Sequence, residues 1–205
     1  MPFEDIKEGK KKKIVEAALE EFAEHGYEKA STNRIVYQAG VGKGMLYYYF
    51  ENKRKLYLYL VKNSLDVIED QYIKHIDISE TDVFERMRQI AEFEMRVYSK
   101  NYHFFNFMSS VFINEDFVLT DDLKGRIEKL QDEGMAKLYQ NIDFSKFRDD
   151  IDVNKAFKLI QWAINGYQND LINRLKGVNF NHLDFEYYMD EFLEYLEVLK
   201  IGFYK

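Results

Sequence analysis

The residues of this chain best suited to contact another molecule lie close together in its first quarter. Lys43, Gly44, Tyr47 and Tyr48 offer one cation, two phenols and a position without a side chain. Lysine and tyrosine can reach phosphate groups, and a glycine lets the backbone approach a nucleic-acid groove closely. These four residues predict a contact surface for DNA; the alternative is an ordinary helical hairpin with surface tyrosines.

The elements that must position these residues are two short helices around a turn. Ile35 and Ala39 are four residues apart, as are Leu46 and Phe50, so each pair falls on one side of a helix. Gly40 stands between the pairs, where a chain that reverses direction favours a residue able to take a positive φ. Apolar inner faces around a glycine-containing turn predict a helix-turn-helix.

The distribution of charge agrees with a DNA contact in this part of the chain. Residues 1–55 hold 11 Lys and Arg against 9 Asp and Glu, or +2, and the other 150 residues hold 18 against 27, or −9, which together make the net −7. Only the first segment therefore suits a polyanion. The lysine-rich run at residues 7–13 is either a solvated helix start or a basic arm that touches phosphates.

The composition excludes several classes of protein. Hydrophobic residues make up 46% and charged residues 32% of the 205 positions, which is typical of a globular rather than a disordered chain. Cysteine is absent, which excludes disulfides, thiolate metal sites and cysteine nucleophiles. The sequence has no signal-peptide pattern and no run of about 18 apolar residues, so we expect a cytoplasmic protein that does not enter a membrane.

The sequence contains no pattern for catalysis, metal binding or a cofactor. The histidines His25, His75, His103 and His182 are scattered and lack the spacing of metal-binding motifs. Glycine-rich phosphate loops and the nucleophile motif of hydrolases are also missing from the sequence. We therefore expect no catalytic residues, no metal site and no cofactor, and a protein that is not an enzyme.

One acidic residue interrupts an apolar row on the fifth predicted helix. Val83, Met87, Ile90 and Val97 follow the 4-3-4-3 spacing of a buried stripe, and Glu94 occupies the remaining place in it. A carboxylate at such a position either finds a charged partner at the edge of the core or faces a cavity. Both interpretations stay open at this stage.

Nine helices are predicted in all, including a long fourth helix that starts at Asn52 and a sixth, at residues 102–112, that is aromatic nearly all round. The aromatic segment is either central core or the wall of an apolar chamber.

The last two helices pair either with their copies in a second subunit or only with their own domain. The candidate interface residues are Ile160, Ile164, Tyr167, Met189, Phe192 and Leu196.

Residues 10–60 form a long and specific pattern. It consists of Ile14-x-x-Ala17-Ala18-Leu19-x-x-Phe22-x-x-x-Gly26, of Ser31-Thr32-x-x-Ile35, and of Ala39-Gly40-Val41-x-Lys43-Gly44-x-Leu46-Tyr47-x-x-Phe50-x-x-Lys53. This pattern resembles the TetR family of transcriptional regulators. Val36 and Gly42 depart from it, because alanine and serine are usual at those positions; glycine still serves as an N-cap.

The resemblance implies an all-α, nine-helix fold with a helix-turn-helix DNA-binding domain at residues 1–52 and an effector-binding and dimerisation domain at residues 53–205. It implies a homodimer whose two heads occupy successive major grooves of a palindromic double-stranded DNA operator. By this resemblance, the residues expected to contact DNA are Thr32, Asn33, Gly42, Lys43, Gly44, Tyr47, Tyr48, Tyr49 and Lys53.

The resemblance also implies a repressor that a small lipophilic effector releases from DNA by shifting the fourth helix. Two alternatives are a constitutive DNA-binding protein with a filled core and a helical enzyme that uses the aromatic chamber. The candidate lining of the effector pocket is Leu65, Ile68, Tyr72, Glu94, Phe104, Phe107, Met108 and Trp162.

Overall fold

The computed structural model describes residues 9–114, 118–176, 178 and 183–205, and this part of the chain is built from α-helices. The all-α prediction is confirmed. Residues 1–8 of the predicted DNA-binding domain and His182 lie outside the described residues. The eight helices are α1 Gly9–Lys29, α2 Thr32–Gln38, α3 Lys43–Phe50, α4 Lys53–Gln71, α5 Val83–Asn114, α6 Asp121–Tyr139, α7 Val153–Leu175 and α8 Phe185–Phe203.

Among the described residues there are eight α-helices rather than the predicted nine. The helices expected over residues 83–97 and 102–112 form the single element α5, which bends at Asn101, where φ is −133° and ψ is 27°. The Asn101 side chain donates hydrogen bonds to the Val97 carbonyl at 3.1 Å and to Gln71 Oε1 at 2.8 Å. The helix continues beyond this bend to Asn114.

Short polar side chains begin the helices where the sequence predicts them. The Ser31 hydroxyl accepts a hydrogen bond from the Arg34 amide at the start of α2. The Asn52 side chain accepts one from the Lys55 amide at 2.8 Å at the start of α4. Gly42 is the N-cap of α3 and supplies no side-chain bond. These caps satisfy amides that have no partner within the helix.

One apolar core joins the helix-turn-helix to the rest of the chain. The ring of Phe22 on α1 lies 6.2 Å from that of Phe107 on α5, and both rings contact Tyr57 on α4, at 4.9 and 5.4 Å. All three side chains are buried. The second half of α5 thus packs on α1, so a shift of α5 reaches the first helix of the head directly.

A second core holds the start of α5 against α7 and α8. Val83 and Met87 are buried there together with Ile160, Ile164 and Leu196. No helix within the described ranges is long and apolar enough to cross a membrane.

Candidate DNA-binding surface and ligand site

The turn between α2 and α3 depends on Gly40. Its φ is 63°, in the left-handed region that residues with a Cβ rarely adopt. The reversed chain is held by a hydrogen bond from the Val41 amide to the Val36 carbonyl at 3.0 Å. Leu46 and Ile35 close the inner side and are fully buried. The helix-turn-helix geometry predicted from the sequence is confirmed.

A buried carboxylate fixes α2 against α1. Glu21 is only 5% exposed, and its oxygens accept hydrogen bonds from Arg34 Nε at 2.9 Å and Nη2 at 2.5 Å. Glu21 also accepts a bond from the Ser31 amide at 2.7 Å, and Arg34 donates to the Lys29 carbonyl. This pair is not predictable from the sequence, because a glutamate on α1 and an arginine on α2 both have the spacing of ordinary surface residues.

The outer face of α3 is open. Gly42, Lys43, Gly44, Tyr47 and Tyr48 are all exposed, and Tyr48 keeps 78% of its surface. A Cβ added at either glycine meets no atom within 4 Å, so the protein leaves the space beside the backbone free. The Lys43 ammonium lies 5.9 Å from the centre of the Tyr47 ring.

The other predicted DNA contacts differ in how accessible they are. Asn33 is exposed, Thr32 is half-buried at the start of α2, and Tyr49 is half-buried with its ring 5.2 Å from that of Tyr48. Tyr37 was not among the predicted residues, although it is 89% exposed and lies four residues after Asn33 on α2. Its exposure could not be read from the sequence, since a tyrosine at that position can equally well pack inward.

Lys53, the last predicted DNA contact, is partly engaged within the protein. Its ammonium donates a hydrogen bond to the Glu28 carbonyl at 3.1 Å and lies 4.7 Å from the centre of the Tyr27 ring. Desolvation lowers the pKa of Lys53. The remaining N–H groups of the ammonium can still contact a phosphate at the edge of the head.

The lysines at the start of α1 divide into two kinds. Lys11 packs its ammonium over the rings of Phe50 and Tyr59, at 5.8 and 5.0 Å, and helps to join α1 to α3 and α4. Lys10 and Lys13 line an open cleft beside the turn at Gly40. These two cations are placed to add to the positive side of the helix-turn-helix.

The structure separates the predicted pocket residues into three groups. Leu65, Phe107 and Met108 are buried core, and Ile68 and Phe104 pack partly buried against it. Trp162 is 59% exposed on α7, away from that core. Tyr72 at the end of α4 and Glu94 on α5 remain, and they lie together.

Glu94 is exposed, although it lies in the row that the sequence predicts to be buried. Val97, three residues later, is buried, whereas the Glu94 side chain is accessible. The Tyr72 hydroxyl lies 3.5 Å from Glu94 Oε2, and the rings of Tyr72 and Phe93 stack at 5.8 Å. Desolvation by the surrounding protein raises the pKa of Glu94, although the Tyr72 hydroxyl opposes the shift. Desolvation and the charge of Glu94 also raise the pKa of Tyr72.

The predicted interface residues mostly point into their own protomer. Ile160, Ile164 and Leu196 are buried in the second core, and Met189 and Phe192 are half-buried. The Tyr167 hydroxyl lies within hydrogen-bond distance of two acceptors, the Tyr188 carbonyl at 3.1 Å and Glu191 at 3.0 Å, and its single proton can be donated to either. The other side of α7 and α8 carries the exposed apolar residues Leu159, Trp162, Tyr195, Val198 and Ile201, named here the outer α7–α8 face.

Comparison with known proteins finds a family model that matches the head of the chain. The family model for bacterial regulatory proteins of the tetR family matches residues 14–60. The matched range runs from the first buried residue of α1 to the first half of α4 and includes the whole helix-turn-helix.

Two curated relatives are similar over part of their length. The fatty acid metabolism regulator protein of Bacillus subtilis (strain 168) is 40% identical over 52 residues, which are 25% of this chain and 27% of the relative. An HTH-type transcriptional regulator of Staphylococcus aureus (strain USA300) is 33% identical over 86 residues, or 38% of this chain and 46% of the relative. The chain therefore matches about a quarter to a half of the length of these relatives.

One solved structure is similar over nearly the whole chain. It is a TetR family transcriptional regulator from Chloroflexus aurantiacus J-10-FL, with a TM-score of 0.59 and 23% sequence identity. The similarity covers 99% of this chain and 97% of the other, and it shows the fold.

Proposed function

We propose that this chain is a ligand-responsive transcriptional regulator, most simply a repressor. The proposal is supported by the match of residues 14–60 to the family model for bacterial regulatory proteins of the tetR family and by the fold that the described helices share with a TetR family regulator. The head of the chain binds double-stranded DNA, and a small molecule held between α4 and α5 weakens that binding. Such a protein works in the cytoplasm, where bacterial DNA lies.

The observation that carries the proposal is the open outer face of α3. A major groove admits an α-helix, and the side chains of its exposed face then meet base edges and phosphates. Lys43, Tyr47 and Tyr48 present a cation and two hydroxyls on that face, with Gly44 leaving room for a close approach. Thr32, Asn33, Gly42, Tyr49 and Lys53 complete the proposed contact surface around it.

The outer α7–α8 face supports a homodimer. Its exposed side chains include Trp162 and Val198, and large apolar groups on a surface helix gain free energy when they are covered. The Tyr195 ring lies 5.4 Å from that of Tyr167, so this exposed residue of α8 contacts α7. A second copy of the chain that covers this face forms a four-helix interface and presents two heads to a palindromic operator.

The accessible space at Glu94 favours a ligand-responsive regulator over a constitutive DNA-binding protein. A filled core would bury that position, as it buries Val97 one turn later. We propose that residues 53–205 form the effector-binding and dimerisation domain and that residues 1–52 form the DNA-binding domain. The name of the B. subtilis relative suggests effectors that are lipid-like, and we assign this chain no enzymatic activity.

The test is selection of bound DNA from a random pool, followed by affinity measurements with variants. We expect a palindrome of two half-sites about one helical turn of DNA apart. Lys43→Ala and Tyr48→Phe should each weaken binding to this palindrome at least about threefold, and Lys43→Ala should reduce the salt dependence by about one phosphate contact. Lys129→Ala, on the exposed side of α6, serves as the matched control.

Failure to enrich any sequence would reject the regulator. An enriched palindrome that both α3 variants bind with unchanged affinity would reject the assigned contacts and keep the DNA-binding function.

A further inference from the structure

Glu94 places an accessible carboxylate in the apolar row of α5. The row also contains Met87 and Val97, which are buried, and Ile90, which packs partly buried on the first core. Glu94 is four residues after Ile90 and three before Val97, so its side chain points to the same side of the helix. An accessible side chain at this place means that the core is not closed there.

The wall opposite Glu94 is aromatic and belongs to the end of α4. Tyr72 directly follows the last residue of α4, and its amide donates to the Ile68 carbonyl at 3.0 Å. Its ring stacks on Phe93 with an angle of 23° between the planes. The Arg96 guanidinium lies 5.8 Å from the centre of the Phe93 ring, so this aromatic pair already attracts a cation.

The charge of Glu94 has no cationic partner among the described residues. The Tyr72 hydroxyl lies 3.5 Å from its carboxylate, and desolvation raises the pKa of Glu94. The nearest cation described around the aromatic pair, Arg96, lies over the Phe93 ring at 5.8 Å and forms no ion pair with Glu94. Other acids of α5 are paired: Glu85 and Glu92 both contact Arg88. A desolvated carboxylate without a counter-ion is unfavourable, so a ligand that brings a positive charge gains the missing interaction.

We propose that the effector is an amphiphilic organic cation whose ammonium group lies between Glu94 and the rings of Tyr72 and Phe93. Its apolar part lies along Ile68 and Ile90, the partly buried residues one turn before Tyr72 and Glu94. Carboxylates and aromatic faces are the groups that proteins use to bind such cations. The role of the cation as an effector rests on the proposed function. Its binding at Glu94 can be measured without DNA and does not rest on that function.

The position of the site explains how the ligand would act on the head. Tyr72 and Gln71 tie the end of α4 to α5, through Glu94 and through Asn101 at the bend. The other end of α4 begins at Asn52, two residues after α3 ends. A cation that replaces the contact between Tyr72 and Glu94 favours a position of α4 other than the one in this structure. The ratio of its affinities for these two positions of α4 determines how far it lowers the affinity of the head for DNA.

The experiment is calorimetric titration of the full-length protein, without DNA, with decyltrimethylammonium below its micelle concentration and with decanol and decanoate of the same chain length. We expect one tight site per chain for the cation. Glu94→Gln should weaken cation binding at least tenfold and leave decanol binding unchanged. Phe93→Leu, which keeps the apolar volume, should weaken cation binding about threefold to fivefold.

Glu92→Gln is the matched control, because it removes a carboxylate two residues away on the same helix that already has a partner in Arg88. Its cation affinity should equal that of the wild type. Glu94→Gln should melt at the same or a higher temperature, since it removes a desolvated charge, so weaker binding cannot be attributed to unfolding.

Equal cation affinities of the wild type and Glu94→Gln would overturn the proposal, as would tighter binding of decanol or decanoate than of the cation. Release from the selected operator is then measured separately. A cation that binds through Glu94 without changing operator affinity would keep the site and reject its regulatory role. A chain that selects no operator would reject the proposed function alone.

Discussion

Arg34 on α2 closes around the buried carboxylate of Glu21 on α1 with hydrogen bonds from both Nε and Nη2. The same carboxylate accepts the amide of Ser31, the N-cap of α2. One acidic side chain thus sets both the start of α2 and its distance from α1. Because α3 is oriented by α2, the pair positions the DNA-facing helix without touching DNA.

Glu21→Gln should destabilise the head. The amide keeps the size of the side chain but leaves the charged hydrogen bonds of Arg34 and the Ser31 amide imperfectly satisfied, a loss of about 1–3 kcal/mol in the free energy of unfolding. Urea unfolding monitored by circular dichroism measures it. Glu24→Gln, an exposed neighbour, should change stability by less than about 0.5 kcal/mol. Equal midpoints for the two variants would contradict a structural role for the pair.

Gly44→Ala should separate folding from DNA binding. A Cβ at this position meets no protein atom within 4 Å, and alanine favours helix, so stability should rise by up to about 1 kcal/mol. The affinity for the selected operator should nevertheless fall, because the methyl group occupies space needed for close approach to the groove. Gly125→Ala on α6 has the same open surroundings and should leave operator affinity unchanged. Unaltered affinity in Gly44→Ala would place that backbone away from DNA.

Charges introduced on the outer α7–α8 face should dissociate the dimer. Trp162→Glu and Val198→Glu each put a carboxylate where two apolar surfaces meet, and desolvating it opposes association. Analytical ultracentrifugation should show a monomer, and operator affinity should fall at least tenfold because the two heads no longer bind together. Ile78→Glu adds the same charge at an exposed site outside this face and should remain dimeric. If Trp162→Glu and Val198→Glu both stay dimeric, another surface forms the interface.

Asp82→Asn should be less stable than the wild type, with a difference that depends on pH. Desolvation of Asp82 is outweighed by hydrogen bonds from Lys146 Nζ at 2.8 Å, the Glu85 amide and the Tyr204 hydroxyl, so its pKa lies below the ordinary 3.8. We expect a loss of about 1–3 kcal/mol at neutral pH.

The sign of this pH dependence follows from the lowered pKa. A carboxylate held below its unfolded pKa contributes stability above pH 3.8 and loses it as the pH falls through the folded value. The stabilities of Asp82→Asn and the wild type should therefore converge below pH 3.8. Unfolding curves at several pH values test this, and a difference that stays constant down to pH 2 would exclude Asp82 as the titrating group.

The features that the sequence determined by itself are local. The turn at Gly40, the caps at Ser31, Gly42 and Asn52, and the all-α fold follow from properties of neighbouring residues. Such features depend on hydrogen bonds and steric limits within a few positions, so the chain specifies them before any long-range contact forms. The match to a family covers the same local region.

The tertiary structure alone decided which apolar rows meet. Phe107, a candidate for the pocket wall, packs on α1; Ile160, a candidate for the dimer interface, is buried in its own protomer; and Trp162 lies on the outer α7–α8 face. Helical periodicity shows that a row is apolar but does not identify the surface that covers it. Glu94 illustrates the same limit, because only the structure shows that its carboxylate is exposed and lies 3.5 Å from the Tyr72 hydroxyl at the end of α4.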